Sequence, residues 1–409
     1  MAIQTAASTN ALTNAVTTRY TQKYLRGATV RRLYDQLAGN IMSDSQFALE
    51  SRRGMGSTYT FNFASDMTPG TTAISETADI VPQVLIDATS TITPTSLGEA
   101  LKWSELLDIE AYTDIIGFRA EKVGENAMES IDNKAKAAAL QGSLVERAVA
   151  RTSLSGNVAA HTFTEAALWK VASLAQDLKC PRFIDGNGME SLMAIVHSDA
   201  YYDLFHGGNV LSAITYGGLP GNILLNGEIG TAAGFKLVVS PWAKVFGGAG
   251  IANASSSDTY VFSANEDKLQ TTLSVTTGTN VIYGRLLSLG TEETGDTHYD
   301  TNERVKWISG TTSAVVVGSG ANGGTRFAHT TAEYILNSQS VYPVAFGGPK
   351  SLAKVFANDV GEFGQMVGPL SDGLANQWQS LAWKWYGGYG RVAENQILRG
   401  EYASTLDAT

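Results

Sequence analysis

The chain has 409 residues, enough for two or three domains or for one domain carrying a large insertion. Its 29 basic and 39 acidic side chains leave a net charge of -10, which excludes general nucleic-acid binding through a basic face. Only 17% of residues are charged, 44% are hydrophobic and 42 are glycine, a balance that suits extended β-structure and buried protein–protein surface better than a freely soluble enzyme.

Cys180 is the sole cysteine, so intrachain disulfides and a cysteine-rich metal site are excluded. No signal peptide and no membrane-spanning run is expected, since no stretch approaches ~18 consecutive apolar residues. The charge is unevenly placed. Residues 1–53 carry seven basic groups (Arg19, Lys23, Arg26, Arg31, Arg32, Arg52, Arg53) against three acidic ones, a net of +4. Residues 54–110 carry Lys102 against eight acidic groups, a net of -7. A basic arm followed by an acidic loop is suited to pairing between copies of one chain; the alternative is that both are merely solvated.

In chain order, residues 1–27 are rich in Thr, Ala, Asn and Gln and show no apolar period. Such an end is expected to be ordered only where another surface holds it. Residues 28–50 read as one or two short helices, with Val30, Leu33, Tyr34 and Leu37 on one side. Tyr59, Phe61 and Phe63 alternate with polar residues over Thr58–Phe63, a strand signature. A polar, acidic stretch with a turn at Pro69-Gly70 leads to a return strand near Ser90–Thr95, making a two-stranded arm that needs a partner surface to be stable. Leu101–Leu107 reads as a short amphipathic turn.

The stretch Thr113–Gln141 predicts one long helix. Ile116, Ala120, Val123, Ala127, Ile131, Ala135 and Ala138 draw a narrow apolar stripe, while Arg119, Glu121, Lys122, Glu125, Glu129, Asp132 and Lys136 fall away from it. Unbroken, the helix would span ~43 Å at ~1.5 Å per residue. Its alanines suit a spine laid close across a sheet; the alternative, favoured by this helix taken alone, is a core helix of an ordinary enzyme domain. Thr164–Leu178 predicts a second helix capped by Thr164, with Leu168, Val171, Leu174 and Leu178 inward. Met193–Val196 reads as a buried strand and Ala200–Phe205 as a helical turn. Gly227–Val239 reads as a glycine-bounded turn and then a strand.

From 247 to 339 the composition shifts to Thr, Ser, Gly and Val, with strands expected at Thr259–Phe262, Thr279–Tyr283, Val305–Ser309 and Ser313–Val317, as in an inserted β-rich unit. Val341–Phe346 and Leu352–Phe356 resume the mixed pattern. Trp383–Gly390 reads as an aromatic strand with a glycine bend, followed by a strand over Gln396–Tyr402.

Catalytic signals are weak. Arg53–Ser57 lacks the spacing and the following helix of a phosphate loop. His206-Gly207-Gly208 has no accompanying nucleophile elbow. The five histidines show no metal spacing. Glu292, Glu293, Asp296, His298 and Asp300 crowd into one loop as a candidate site for a hard cation, against the alternative of a solvated acidic loop. Cys180, beside Pro181, is expected to be a buried, inert thiol. No acid/base pair stands out. The residues alone describe an assembling α+β protein with projecting arms and no evident active site.

Several segments carry a resemblance. They are Trp103-Ser104-x-Leu106-Leu107 with the helix through Ala138-Ala139-Leu140, Val196–Leu204, Gly227–Lys236, Val341-Tyr342-Pro343 with Phe346-Gly347 and Leu352-Ala353, and Ala382–Gly388. Their order and spacing over most of 95–245 and 340–405 resemble the major capsid proteins of tailed bacteriophages, with the N-four-like podovirus branch nearest. Residues 247–339 depart from the family pattern.

The resemblance implies the Hong Kong-97-type capsid fold, α+β in class. It implies an N-terminal arm (1–51), an E-loop β-arm (52–100), a peripheral domain on the spine helix 113–141 (101–160), an axial domain (161–246 and 340–380), the inserted β-rich domain (247–339) and C-terminal strands returning to the peripheral domain (381–409). It also implies a non-enzymatic role without cofactors, in the virion capsid, made in the host bacterial cytoplasm. Expected partners are copies of the chain as hexamers and pentamers, scaffolding and portal proteins, a decoration protein, and packaged double-stranded DNA touched non-specifically. Arg19, Lys23, Arg26, Arg31, Arg32, Tyr59, Phe61 and Phe63 are the expected intersubunit contacts, and the insertion is expected to face outward and reinforce contacts between capsomers. The competing readings are another phage structural or tail protein with a carbohydrate-binding β-region, and an enzyme.

Overall fold

The computed structural model describes residues 22–26, 33–40, 58–64, 67, 69–70, 82–84, 87–110, 115–184, 190–206, 231–246, 259–276, 286–291, 301–311, 313–318, 324–331, 333–336, 340–349, 351–357, 361–372, 377–391 and 396–407. Two compact units result. One takes its residues from Met1–Arg32, Ala38–Ala135 and Leu352–Ala393, the other from Leu33–Leu37, Lys136–Ser351 and Glu394–Thr409.

The first unit is a helix on a sheet. Five strands form the sheet: β1 (Ala38–Asn40), β17 (Leu352–Phe356), β19 (Trp378–Arg391) and β18 (Gln365–Asp372) in that order, with β4 (Thr95–Ser104) on β19. Across it lies most of α3 (Ile115–Leu140), the expected spine. Ala120, Val123, Ala127, Met128 and Ile131 pack on Trp103, Leu381, Trp383, Trp385, Phe356 and Tyr24. The small side chains let the helix backbone approach the indole-rich strand closely, and Trp383 Nε1 donates to Asn126 Oδ1 at 2.9 Å. Asp132 and Lys136, which fall away from the apolar stripe, are nonetheless buried, each 9% exposed.

Two expectations fail here for one reason. Leu101–Ser104 belongs to a strand rather than a turn, because β4 pairs along its whole length with β19, from Thr95 opposite Gly387 to Ser104 opposite Trp378. Only then does the chain turn into α2 (Glu105–Glu110). Likewise β19 runs unbroken through its glycines instead of bending. A Cβ on Gly390 would lie 2.5 Å from Ile92 Cγ1, and one on Gly388 3.0 Å from Ile92 Cγ2. These glycines make room for a buried side chain rather than a kink. Ile92 ends the β-arm, in which β2 (Tyr59–Ala64) pairs antiparallel with β3 (Asp87–Ile92). Ser90 Oγ also donates to the Arg391 carbonyl at 2.9 Å, so the arm's base is tied to β19 twice.

A short helix over residues 22–26 (α1) is fixed to this unit by Tyr24, which is 1% exposed and donates to the Phe363 carbonyl at 2.8 Å. Burial pushes its phenol well above the ordinary value, so it stays a neutral donor. The helices expected over 28–50 are replaced, where described, by a single 3₁₀ turn at Tyr34–Leu37 followed by β1.

In the second unit the sheet order is β5 (Val145–Glu146), β20 (Ile397–Tyr402), β16 (Tyr342–Gly347), β7 (Glu190–Val196), β9 (Phe235–Val239) and β8 (Thr231–Ala232), with β6 (Phe183–Ile184) on β7. The central strands β16 and β20 are buried along their whole length. Helix α4 (Glu165–Asp177) starts at Thr164, whose hydroxyl accepts from the Ala167 N–H, and sets Leu168, Val171, Ala172 and Ala175 into the core with Phe163, Phe235, Phe346 and Tyr402. Helix α5 (Ser198–His206) follows β7 directly. Cys180 is buried in this core, and burial pushes its thiol up, as an inert role requires.

Strands β17 and β18 stand in the first unit, where they pair with β19. Residues 136–160 and β20 belong to the second unit, where β20 pairs with β16.

Between Phe246 and Val341 the second unit carries a β-barrel. Its ring runs β10 (Thr259–Val261), β15 (Tyr334–Leu336), β12 (Leu286–Gly290), β13 (Glu303–Gly310), β14 (Ala314–Gly318) and β11 (Thr272–Ser274). The ring closes where Phe262 bridges Val275, with the Ser263 N–H on the Ser274 carbonyl at 2.9 Å and the Thr276 N–H on the Val261 carbonyl at 3.1 Å. Inside are Phe262, Leu273, Val275, Leu289, Val305, Trp307, Val315, Val317 and Ile335. The strand expected at Thr279–Tyr283 lies outside the described residues, and β11, β12 and β15 are strands that no expectation covered.

Candidate assembly surfaces

Of the expected contact residues, Lys23 and Arg26 sit on α1, half-buried and exposed respectively, on either side of the Tyr24 anchor. Arg19, Arg31 and Arg32 lie outside the described residues. Tyr59 is half-buried on β2 opposite Ile92. Phe61 and Phe63 occupy β2 positions opposite Ser90 and Ala88, and their side chains lie outside the described residues. The acidic loop with Glu292, Glu293, Asp296, His298 and Asp300 also lies outside them. Among the described residues, no group of three or more His, Cys, Asp or Glu has the arrangement to hold a metal ion.

Several of the first unit's exposed large apolar side chains lie near the start of the spine, with others such as Val84, Met67 and Leu370 elsewhere. Leu106 and Ile109 on α2 are 61% and 74% exposed, and Phe118 on α3 is 62% exposed. Large side chains this open on adjoining helices are what a protein–protein contact covers.

Charge is concentrated inside the second unit instead. Glu401, fully buried on β20, receives three arginines. Arg151 clamps it with two nitrogens, Nε at 3.0 Å and Nη2 in a shorter contact. Arg147 Nη1 lies at 3.1 Å and Arg399 Nε at 3.0 Å. Arg399 also donates to the carbonyl of Leu140, the last residue of α3, filling an acceptor the helix end leaves open. Phe246 lies between Arg151 and Arg399, with guanidinium carbons 4.3 and 5.9 Å from its ring centre.

A second cluster sits in the barrel. His329, whose side chain is 0% exposed, has Glu303 at 2.8 Å on Nε2 and Glu333 at 2.6 Å on Nδ1, and stacks on Phe262 at 5.5 Å. Both ring nitrogens face carboxylates, so the imidazolium is the form that satisfies them. Burial alone pushes the ring's pKa down. The hydrogen bonds and charges of Glu303 and Glu333 outweigh it and hold it above the ordinary value of 6.5.

A third links barrel and sheet. Arg304 on β13 reaches Asp199 Oδ2 at 2.5 Å and the Tyr342 hydroxyl in a short contact, while that hydroxyl donates to the same carboxylate at 2.9 Å. Burial pushes the Asp199 carboxyl up, but His197, Arg304 and Tyr342 outweigh it and leave it below the ordinary value. Sequence reading missed all three clusters. The available signal was a charge in an otherwise apolar strand, as in Ile397–Tyr402, where Arg399 and Glu401 stand alone.

No family model matches the sequence, and no curated protein matches it either. The fold is found among solved structures. The capsid asymmetric unit of cyanophage Pam1 superposes with a TM-score of 0.55 at 13% identity, over 92% of this chain and 93% of that one. The capsid of Ralstonia phage GP4 gives 0.49 at 10% identity, over 85% and 84%. That of Helicobacter pylori bacteriophage KHP30 gives 0.49 at 10% identity, over 85% of each. The chain has the Hong Kong-97-type phage capsid fold, with spine helix, β-arm and a barrel inserted in the second unit.

Proposed function

We propose that this chain is a major capsid protein of a tailed bacteriophage, assembling with copies of itself into the icosahedral head that encloses double-stranded DNA. The observation that carries this reading is the fold likeness to the cyanophage Pam1 capsid over nearly the full length of both chains. The β-arm and the apolar start of the spine fit it. A two-stranded arm is marginal alone, and a neighbouring copy supplies the surface that stabilises it. Contacts repeated around every capsomer multiply modest affinities into a shell that rarely loses a subunit.

In this reading the role is structural rather than enzymatic. The basic residues Arg19, Lys23, Arg26, Arg31 and Arg32 pair with acidic residues of a neighbour, and Tyr59, Phe61 and Phe63 pack over the adjacent copy. Copies form hexamers and pentamers, with scaffolding, portal and decoration proteins as further partners in the virion. Descent from the N-four-like podovirus branch, synthesis in a bacterial cytoplasm, and an outward-facing barrel that reinforces contacts between capsomers belong to the same proposal.

Sedimentation and negative-stain electron microscopy of the purified chain at low and high salt test it. Closed shells, tubes or capsomer rings are expected, and high salt should slow their formation. A monomer under all conditions, and also with its scaffolding protein, would overturn the reading. Reversing the charge at Arg31 and Arg32 should block assembly while leaving the monomer folded; normal particles from that variant would remove the pairing argument alone.

A further inference from the structure

The barrel has a hydrophobic core made from its own residues. The chain leaves the host at Phe246 and returns at Val341. These two residues pair with each other, the Phe246 N–H on the Val341 carbonyl at 2.9 Å and the reverse bond at 3.4 Å. Among the described residues, Arg304 and Arg326 of the barrel also reach the host. Arg304 is held by Asp199 at the first turn of α5 and by Tyr342 at the start of β16. Arg326 lies over the Trp242 ring, 4.4 Å from its centre.

The host side of the first contact is rigidly built. Tyr342 is fully buried, and its ring packs on His197 at 5.2 Å. The Asp199 N–H is donated to His197 Nδ1 at 3.2 Å, and the Asp199 carbonyl accepts from Ser404 Oγ at 3.3 Å. On the barrel side the neighbouring residue, Glu303, faces the other way. It takes the N–H groups of Arg326 and Phe327 and the ring of His329. Two adjacent residues of β13 therefore divide the work: Glu303 closes the barrel on itself, and Arg304 fastens it to the host.

We propose that the barrel is a hinged module, pivoting at the Phe246–Val341 pair and locked in one orientation by Arg304 on Asp199 and Tyr342. The barrel does not need Arg304 to fold, because that side chain contributes nothing to its apolar interior. The lock gives one defined orientation, since a guanidinium shared between a carboxylate and a hydroxyl tolerates little displacement. Releasing it leaves the Phe246–Val341 pair and the stacking of Arg326 on Trp242 as the remaining described links, and neither fixes the barrel's orientation as a two-partner guanidinium does. This inference does not depend on what the chain assembles into.

Pulsed electron–electron resonance distances in the full chain test it. Spin labels go on cysteines replacing the exposed Lys268 of the barrel and Lys170 of α4, with Cys180→Ala to remove the native thiol. Dilution with unlabelled protein keeps the measured distances within one chain. The expected result is one narrow distance peak with Arg304 present and loss of that peak into a broad distribution in Arg304→Gln, while hydrogen exchange across β13 and β14 stays protected. A folded Arg304→Gln chain that keeps the narrow peak overturns the proposal. If Arg304→Gln loses barrel protection, the milder Tyr342→Phe decides. Broadening with protection intact supports the lock. An unchanged peak, or loss of the barrel fold in this variant too, overturns it.

Discussion

The Arg151 guanidinium carbon lies 4.3 Å from the centre of the Phe246 ring, while the Nε of the same group donates to Glu401 at 3.0 Å. One side chain thus bridges the apolar residue at the barrel's neck and the only acidic group that receives three arginines among the described residues. Glu401 is the member that cannot be spared. Without its charge, Arg147, Arg151 and Arg399 face one another with the compensation removed. Glu401→Gln should cost about 3–5 kcal/mol, the range for orphaning buried charge. Arg151→Met should cost less, since Arg147 and Arg399 still neutralise the carboxylate. Urea unfolding of the two variants checks the order, and equal losses would contradict it.

Ile92 and Gly390 set a second expectation. A methyl group at 390 would sit 2.5 Å from Ile92 Cγ1, so one of them must move. Gly390→Ala should destabilise the first unit by about 1–3 kcal/mol, as overpacking does. Combining it with Ile92→Ala should recover part of that loss, because the crowding atoms are gone. Thermal unfolding of the single and double variants reads the coupling directly. Additive losses would mean that the two sites do not press on each other.

The pH dependence of the barrel follows from His329. Its folded pKa stands above the ordinary 6.5, so the folded barrel holds a proton that the unfolded chain releases more readily. The stabilisation is fully present below pH 6.5 and is lost as pH rises through the raised folded value. Denaturant midpoints for the wild-type chain should therefore fall on passing from pH 6 to alkaline pH. His329→Asn, with no titrating ring, should have a lower midpoint in acid and a flatter profile. A profile that rises with pH in the wild type would reverse the assignment.

The spine sets the last expectation. Ala127 is fully buried among the indoles of the first unit's sheet. Ala127→Leu must lift α3 from β19 or force side chains off their rotamers, at about 1–3 kcal/mol. Thermal unfolding should show the loss, and sedimentation should show fewer assembled particles. Ser130→Ala, on the same helix but solvent-facing with its hydroxyl on the Asn126 carbonyl, should leave both unchanged.

Much of this was legible because it is local. Thr164 capped α4 as read, and the helix spans Glu165–Asp177 within the expected Thr164–Leu178. Val305–Ser309, read as a strand, lies within β13. The spine stripe was visible because alanine and isoleucine recur at helical spacing. What escaped was decided by distant partners. Leu101–Ser104 reads as part of an amphipathic turn by itself, and becomes strand because β19, far along the chain, offers a matching edge. The glycines of β19 read as a bend until Ile92 fills the space above them. Arg304, Asp199 and Tyr342 carry no mutual signal at all, since their meeting depends on how the barrel is carried on its neck. Charged residues in buried strands were the one local hint, and Arg399 with Glu401 shows what such a hint means when followed.

The bridge between Phe262 and Val275 has a consequence for crowding. In the head shell proposed for this chain, identical inserts would be brought side by side in great number. An open sheet in that setting would present the same unpaired row of amides on every copy, and each would be a template for its neighbour. Joining the first strand of the ring to the last removes that row. The insert then offers its neighbours no open edge to pair with, leaving recognition between copies to side chains.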